Sequence, residues 1–172
     1  MSTAPYTSDL TAQFDFGGPR STANLLGVCI HTTENQDTTH AKDVAAYQVR
    51  SRSGSYHVIV DEFGAVVLCN TDDWVTWSTG NRGNDVLLHI AIVARAGWTR
   101  EFWLAHPVAL ESVAMYIAWW SLRYGIPIRR IDHTDLLAQR RGVCGHVDTG
   151  RAWGGTDHTD PGASGSWLPG IR

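Results

Sequence analysis

Two short runs of the chain, residues 24–30 and 85–94, have the pattern of strands that are apolar on both faces. Such strands must be covered on both sides, which is typical of the centre of a sheet flanked by helices. The first run stops abruptly at His31, so this strand is expected to carry a histidine at its carboxyl end. The pattern therefore predicts an α/β fold with a polar site where the first strand ends.

Helix signals lie between and after these strands. Residues 40–52 place apolar side chains at helical spacing, with Thr38 or Thr39 as the expected N-cap. A longer helix opens at Pro107 and is closed by Gly125, which is the usual asymmetry of helix ends. Strands interleaved with helices predict a single α/β domain with a central mixed β-sheet flanked by helices.

A β-hairpin is predicted between the two helices. Residues 55–60 and 65–69 are rich in β-branched side chains, and the short linker between them contains Gly64. Tyr56 and His57 enter the first strand side by side and must face opposite sides of the sheet. Only one of them can point into a site on a given face.

The composition fits one globular domain. The chain has 172 residues, 43% of them apolar and 18% charged, with eight tryptophans, which is unlike a disordered chain. Residues 1–23 predict an irregular N-terminal arm without catalytic residues. Cys29, Cys69 and Cys144 are interpreted as buried reduced thiols, which suits a protein made in a reducing cytoplasm. The start of the chain has neither the basic residues nor the apolar run of a signal peptide.

The charge of the chain argues against one class of partner. The formal net charge is -3 at pH 7, and the basic residues occur only as short pairs. These features give no electrostatic reason to expect nucleic acid.

The segment at residues 142–162 is the most site-like part of the chain. It is rich in glycine and poor in helix or strand formers, and it carries His146, His158, Asp157 and Asp160. An irregular segment with this composition predicts a site rather than a scaffold.

One zinc ion could account for the polar residues at the two ends of the chain. Zinc prefers imidazole and carboxylate ligands, and a catalytic site has three protein ligands and an open fourth position. His31, His146 and a carboxylate of the DHTD segment would supply them, although these histidines could instead cap loops by hydrogen bonding. His89 lies inside an apolar run and is interpreted as a hydrogen-bonded core residue rather than a ligand.

Four motifs occur in a fixed order: HTTE at 31–34, SYHVIVD at 55–61, GHVD at 145–148 and TDPG at 159–162. With these motifs the chain resembles the zinc-dependent N-acetylmuramoyl-L-alanine amidases of type 2, a family that includes peptidoglycan recognition proteins and phage lysis amidases. Its tryptophan-rich loop at residues 72–84 and its segment 145–162 are most similar to endolysin amidase domains from phages of actinobacteria. The resemblance implies a peptidoglycan recognition protein-like fold for residues 24–172, one Zn²⁺ ion and bacterial peptidoglycan as substrate.

The resemblance also implies roles for individual residues. The family's metal ligands fall on His31, His146 and Asp160, with Asp157 as the rival for the third place. Tyr56 aligns with a tyrosine that lies beside the metal in phage-type members and is implied to be catalytic. His158 falls where many members carry a lysine that stabilises the transition state, and it is the second implied catalytic residue.

This chain departs from its relatives at two further places. Val93 stands where a bacterial subgroup carries a catalytic glutamate, which favours the tyrosine-type subgroup. Ser78 follows Trp77 where many relatives have a histidine. The expected walls of a substrate groove are Trp77, Asn84 and Glu34.

The biological role implied by the resemblance is that of a phage endolysin. Such an enzyme stays in the host cytoplasm until a holin opens the membrane and releases it to the cell wall. The alternative is a non-catalytic peptidoglycan-binding module, a role taken by family members that have lost a zinc ligand. All three expected ligands are present here, which favours the enzyme.

Overall fold

The computed structural model describes residues 4–162 of the chain. Within this range lie eight strands, six α-helices and two short 3-10 helices, Thr11–Gln13 and Thr22–Asn24. The strands are β1 (Ser8–Asp9), β2 (Gly18–Pro19), β3 (Gly27–Thr32), β4 (Val58–Val60), β5 (Val66–Leu68), β6 (Trp74–Val75), β7 (Leu87–Ile92) and β8 (Gly142–Gly145). The helices are α1 (Ala41–Ser51), α2 (Gly83–Val86), α3 (Arg100–Leu104), α4 (Pro107–Tyr124), α5 (His133–Leu137) and α6 (His146–Trp153).

Six of the strands form one mixed sheet in the spatial order β1-β5-β4-β7-β3-β8, while β2 and β6 pair separately. Strand β3 is parallel to both β7 and β8, and β4 is parallel to β7. Strands β4 and β5 form the antiparallel hairpin that the sequence predicts. Because parallel strands share one carboxyl edge, the ends of β3, β7 and β8 lie close together.

The two faces of the sheet are covered by different helices. Helix α4 packs on one face, where Tyr116 and Trp120 belong to the same buried apolar cluster as Val28, Ile30 and Ile90. Helix α1 covers part of the other face. Successive side chains of β3 and β7 point to opposite faces of the sheet. The residues that lie between these apolar positions therefore point away from α4. These observations confirm the predicted mixed sheet flanked by helices.

Helix α1 begins at Ala41, one residue later than an N-cap at Thr39 would place its start. His40 occupies the N-cap position without a capping side chain, so the prediction of Thr38 or Thr39 is wrong. The backbone N–H of Ala41 instead donates to Asp61 Oδ2 at 2.7 Å. A buried carboxylate from the hairpin thus replaces a local cap, which no sequence pattern within the helix could reveal.

Two predicted boundaries also change. The segment at residues 142–162 contains β8 and α6, so the expectation of an irregular segment is wrong over its first half. The predicted strand 85–94 begins at Leu87, because residues 83–86 form the short helix α2. The side chain of Asn81 accepts the Gly83 N–H at 2.8 Å and so supports the start of that helix.

The N-terminal arm is attached to the sheet by short elements. β1 pairs in parallel with β5, and Phe14 and Phe16 are buried beneath α1. The domain limits of 24 and 172 remain a prediction, and residues 1–3 and 163–172 lie outside the described part. No helix within residues 4–162 has the length and apolar composition needed to cross a bilayer.

Replacing Asp61 by alanine should lower the free energy of unfolding by about 3 kcal/mol. The carboxylate is fully buried and accepts the backbone N–H groups of Ala41, Phe63 and Ala65 at 2.7, 3.0 and 2.9 Å. Its loss leaves these donors without an acceptor. Urea unfolding measures the change. The control is Glu111→Ala, which should alter the free energy of unfolding by less than about 0.5 kcal/mol because Glu111 is exposed. Equal effects at the two positions would contradict the assigned role.

Candidate metal centre and groove

His31 is the next-to-last residue of β3 and is fully buried. Its Nε2 lies 3.0 Å from His89 Nδ1, and His89 Nε2 lies 3.0 Å from the carbonyl oxygen of Gly83. A carbonyl oxygen can only accept, so His89 carries its proton on Nε2 and accepts at Nδ1. His31 must then donate from Nε2. This chain of hydrogen bonds leaves a lone pair on His31 Nδ1.

His146 reaches the same place from the neighbouring strand. It is the first residue of α6 and follows β8 directly. The Gly145 N–H donates to Asp148 Oδ2 at 3.1 Å, which fixes the transition from strand to helix. The parallel pairing of β8 with β3 then places His146 beside His31, with ring centroids 4.7 Å apart.

Asp160 completes the group from the segment that follows α6. The Val147 N–H donates to its backbone oxygen at 3.1 Å, and the Thr32 N–H donates to its Oδ2 at 3.2 Å. The residue is therefore tied to both α6 and β3. It is 4% exposed, whereas its rival Asp157 is an exposed residue.

The spacing of the three side chains suits a tetrahedral metal ion. Asp160 Oδ2 lies 3.4 Å from His31 Nδ1, and Asp160 Oδ1 lies 3.1 Å from His146 Nδ1. Zinc with ligands at about 2.0–2.1 Å requires neighbouring ligand atoms to be about 3.3 Å apart. Within residues 4–162, His31 Nδ1 is buried without a hydrogen-bond partner. The donor set and the unpartnered Nδ1 of His31 thus fit a zinc ion.

The protonation states also favour metal binding. Burial lowers the pKa of His31 to about 4, so its imidazole is neutral at neutral pH. Burial alone would raise the pKa of Asp160, but the adjacent His146 and His31 outweigh it and hold this pKa well below its usual range. His31 and Asp160 therefore need not release protons to act as ligands.

A second cluster beneath the first is less suited to a metal. Donor atoms of Cys29, His31 and His89 also lie within 4.8 Å of one another. However, His31 and His89 are hydrogen-bonded to each other, and burial raises the pKa of the Cys29 thiol well above its usual value. Cys29 faces Cys144 across the β3–β8 ladder, and both are free thiols, as predicted. The residues of this second cluster therefore support the His31 ring on its Nε2 side, away from the proposed metal.

The two residues implied to be catalytic border the metal centre. The ring of Tyr56 lies 5.0 Å from that of His31, and Tyr56 precedes β4 instead of lying within it. Burial raises the pKa of Tyr56, so its hydroxyl is protonated at neutral pH and can donate. His158 Nδ1 lies 3.4 Å from Asp160 Oδ1, and its side chain is 63% exposed.

Two cavities flank this centre and form an open groove. We name the larger one the Gln48 cavity, with a volume of about 390 Å³, and the smaller one the Asn84 cavity, with about 360 Å³. Tyr56 lines the first and His146 lines the second. Both cavities share Ser53, Trp77, Ser78 and His158.

The predicted substrate residues take different places around the groove. Trp77 lines both cavities and is 46% exposed, and Asn84 lines the cavity named after it. Glu34 lines neither; its carboxylate accepts from the hydroxyl of Thr32 and from the Ala96 N–H. Glu34 thus braces Thr32, whose own N–H contacts a metal-site carboxylate.

Sequence reasoning missed several groups and explained others. Val93 is buried against α1 and offers no base, in agreement with its departure from the bacterial subgroup. The prediction that His89 is a hydrogen-bonded core residue is confirmed, but its contact with His31 was not foreseen. The available signal was the alternation of side chains along β3 and β7. Once the parallel pairing of the two strands is known, this alternation places His31 and His89 on the same face of the sheet. Gln48 was interpreted only as part of a helix, and no local signal marked it as lining a groove.

The fold is shared with the solved structures of a hydrolase and of an endolysin amidase. Staphylococcus aureus hydrolase AmiA, solved in complex with its ligand, superposes with a TM-score of 0.71 at 21% identity, over 94% of this chain and 74% of that chain. An endolysin N-acetylmuramoyl-L-alanine amidase, LysCS from Clostridium intestinale URNW, gives a TM-score of 0.59 at 15% identity, over 93% and 90%. At these identities the likeness establishes the fold.

Sequence comparison identifies the family. Protein Ami of Listeria monocytogenes serotype 1/2a (strain EGD / Mackaness) is 26% identical over 162 residues, which are 94% of this chain. The chain spans only 17% of the length of that relative. The family profile described as N-acetylmuramoyl-L-alanine amidase (Amidase_2) matches residues 21–163, most of the chain and all of the metal centre. The chain therefore belongs to the N-acetylmuramoyl-L-alanine amidase family.

Proposed function

We propose that the protein is a zinc-dependent N-acetylmuramoyl-L-alanine amidase. It hydrolyses the amide bond between N-acetylmuramic acid and L-alanine in bacterial peptidoglycan. The observation that carries this proposal is the convergence of His31, His146 and Asp160 beside an open groove. A groove suits a polymeric substrate better than a closed pocket, because the substrate polymer must enter and leave the site from the side.

The residues around the metal divide the chemical work. Zinc at this centre would supply a Lewis acid that polarises the scissile carbonyl and makes water a nucleophile near neutral pH. Tyr56 keeps its phenolic proton and donates a hydrogen bond to the oxygen on which negative charge develops. His158 is exposed beside the same centre, where its imidazole takes the proton that the attacking water loses and passes it to the leaving amine of L-alanine.

We further propose that this chain acts as the catalytic domain of a phage endolysin. The motifs it shares with phage amidases and its structural likeness to a clostridial endolysin amidase support this role. Residues 24–172 form the amidase domain in this proposal, with residues 1–23 as an attached arm. The enzyme would remain in the host cytoplasm until a holin opens a route to the wall.

Removing the metal should stop the release of peptides from purified cell walls. Without zinc the centre has no Lewis acid, so new L-alanyl amino termini should fall to the background rate and return when zinc is restored. Magnesium, which prefers oxygen ligands, should not restore them. The metal-free protein should remain folded, as judged by circular dichroism, because the centre lies at the edge of the sheet.

Two outcomes would contradict this assignment. A non-catalytic binding module would bind walls and release no peptide in any metal state. A protein whose zinc site is purely structural would instead unfold when the metal is removed.

A further inference from the structure

The Gln48 cavity contains two polar atoms without partners. Gln48 is 7% exposed, and its Oε1 has no hydrogen-bond partner within residues 4–162. The same holds for the Oγ1 of Thr33, which lines the same cavity. A buried polar atom without a partner is costly, so it marks a place where a ligand supplies the missing hydrogen bond.

The lining of this cavity has no permanently charged side chain. Among the described residues that form it, none is an aspartate, glutamate, lysine or arginine. The nearby Arg52, at the end of α1, is paired with Asp15 at 2.9 Å. A carboxylate entering the cavity would lose its water without gaining a lysine or arginine partner from this lining.

The cavity lies on one side of the metal centre. Tyr56 and His158 connect it to the three metal-site residues, and His158 and Trp77 connect it to the Asn84 cavity on the other side. A substrate whose scissile bond lies at the centre therefore places its two halves in different cavities.

We propose that the Gln48 cavity binds the peptide stem and selects stems that are amidated at the second residue. The muramyl sugar then occupies the Asn84 cavity. This inference rests on the proposed amidase function. A carboxamide can donate its N–H to Gln48 Oε1 and accept from the Thr33 hydroxyl, whereas a carboxylate has no proton to donate and would face an acceptor.

Two synthetic substrates test this selectivity. Both contain N-acetylmuramic acid joined to L-alanine, followed in one by D-isoglutamine and in the other by D-isoglutamic acid. The zinc-loaded protein should hydrolyse the amidated substrate with a kcat/KM about 10- to 100-fold higher, the effect expected for one unsatisfied buried group. The Gln48→Met substitution keeps the side-chain volume and should reduce this ratio to within about threefold of unity.

Control variants separate selectivity from folding. Gln13 is exposed and lines neither cavity, so Gln13→Met should keep the wild-type ratio. Thr33→Val removes a donor that serves both substrates, so it should lower kcat/KM for both and leave the ratio near its wild-type value. Hydrolysis of both substrates with equal kcat/KM by the wild-type protein would overturn the proposed selectivity.

A binding measurement keeps the two proposals distinguishable. If neither substrate is cleaved, the amidase proposal fails, and calorimetry with the two free dipeptides then tests the cavity alone. L-alanyl-D-isoglutamine should bind more tightly than L-alanyl-D-isoglutamate, and Gln48→Met should abolish the difference. Equal affinities, or tighter binding of the acidic dipeptide, would exclude the proposed subsite.

Discussion

Replacing Asp160 by asparagine should abolish zinc binding and reduce amidase activity at least about 1,000-fold. The carboxylate lies within 3.4 Å of both metal-site imidazoles, and its negative charge is the one anionic contribution among the three proposed ligands. A Lewis acid contributes several kcal/mol to the transition state, and each 1.36 kcal/mol changes the rate tenfold. Asparagine has nearly the same shape and can still accept the Thr32 N–H, so the local fold should persist.

Zinc-dependent thermal stability distinguishes this loss from unfolding. A ligand that binds only the native state raises Tm by an amount that grows with the logarithm of its concentration relative to Kd. Wild-type protein should therefore show a zinc-dependent rise in Tm that the Asp160→Asn variant lacks, while their metal-free Tm values stay close. Asp157→Asn is the matched control, because Asp157 is exposed and lies in the same DHTD segment. If Asp157→Asn lost zinc and Asp160→Asn retained it, the ligand assignment would be wrong.

Replacing His89 by leucine should weaken zinc binding about 10- to 100-fold, although His89 is not a proposed ligand. His89 accepts a hydrogen bond from His31 Nε2 and donates one to the carbonyl oxygen of Gly83. The imidazoles of His89 and His31 are both neutral, since burial holds the pKa of His89 well below its usual value and that of His31 at about 4. Without this acceptor, His31 is free to carry its proton on Nδ1, the atom that faces the metal.

The control for this prediction is the adjacent His57. It is equally buried, stacks on His89 with centroids 5.7 Å apart and accepts the backbone N–H of His89 at its Nδ1, but within residues 4–162 no hydrogen bond joins it to a proposed ligand. His57→Leu should lower stability without lowering the zinc affinity of the folded protein. His89→Gln, which can both accept and donate, should recover part of the affinity. Nitrogen-15 spectra of the metal-free protein should show His31 protonated on Nε2, and a proton on Nδ1 would contradict the mechanism.

The main elements of the fold were predictable because their signals are local. Helix α4 lies where Pro107 and Gly125 predict it, since these residues control backbone conformation within one turn. The paired runs 55–60 and 65–69 form the β4–β5 hairpin for the same reason. The start of α1 was not predictable, because its first N–H donates to Asp61, which lies twenty residues further along the chain.

The residue types of the metal centre could be read from the motifs, but their arrangement could not. The chain by itself determined that His31 ends a buried strand and that His146 and Asp160 lie in a polar, glycine-rich segment. Only the parallel pairing of β3 with β8 brought these residues together, and the Thr32–Asp160 hydrogen bond joins positions 128 residues apart. The support of His31 by His89 and the unpartnered Oε1 of Gln48 likewise depend on which faces meet after folding. Side-chain spacing along a chain reports its own strand or helix, whereas distances between elements are set by how the sheet is ordered and packed.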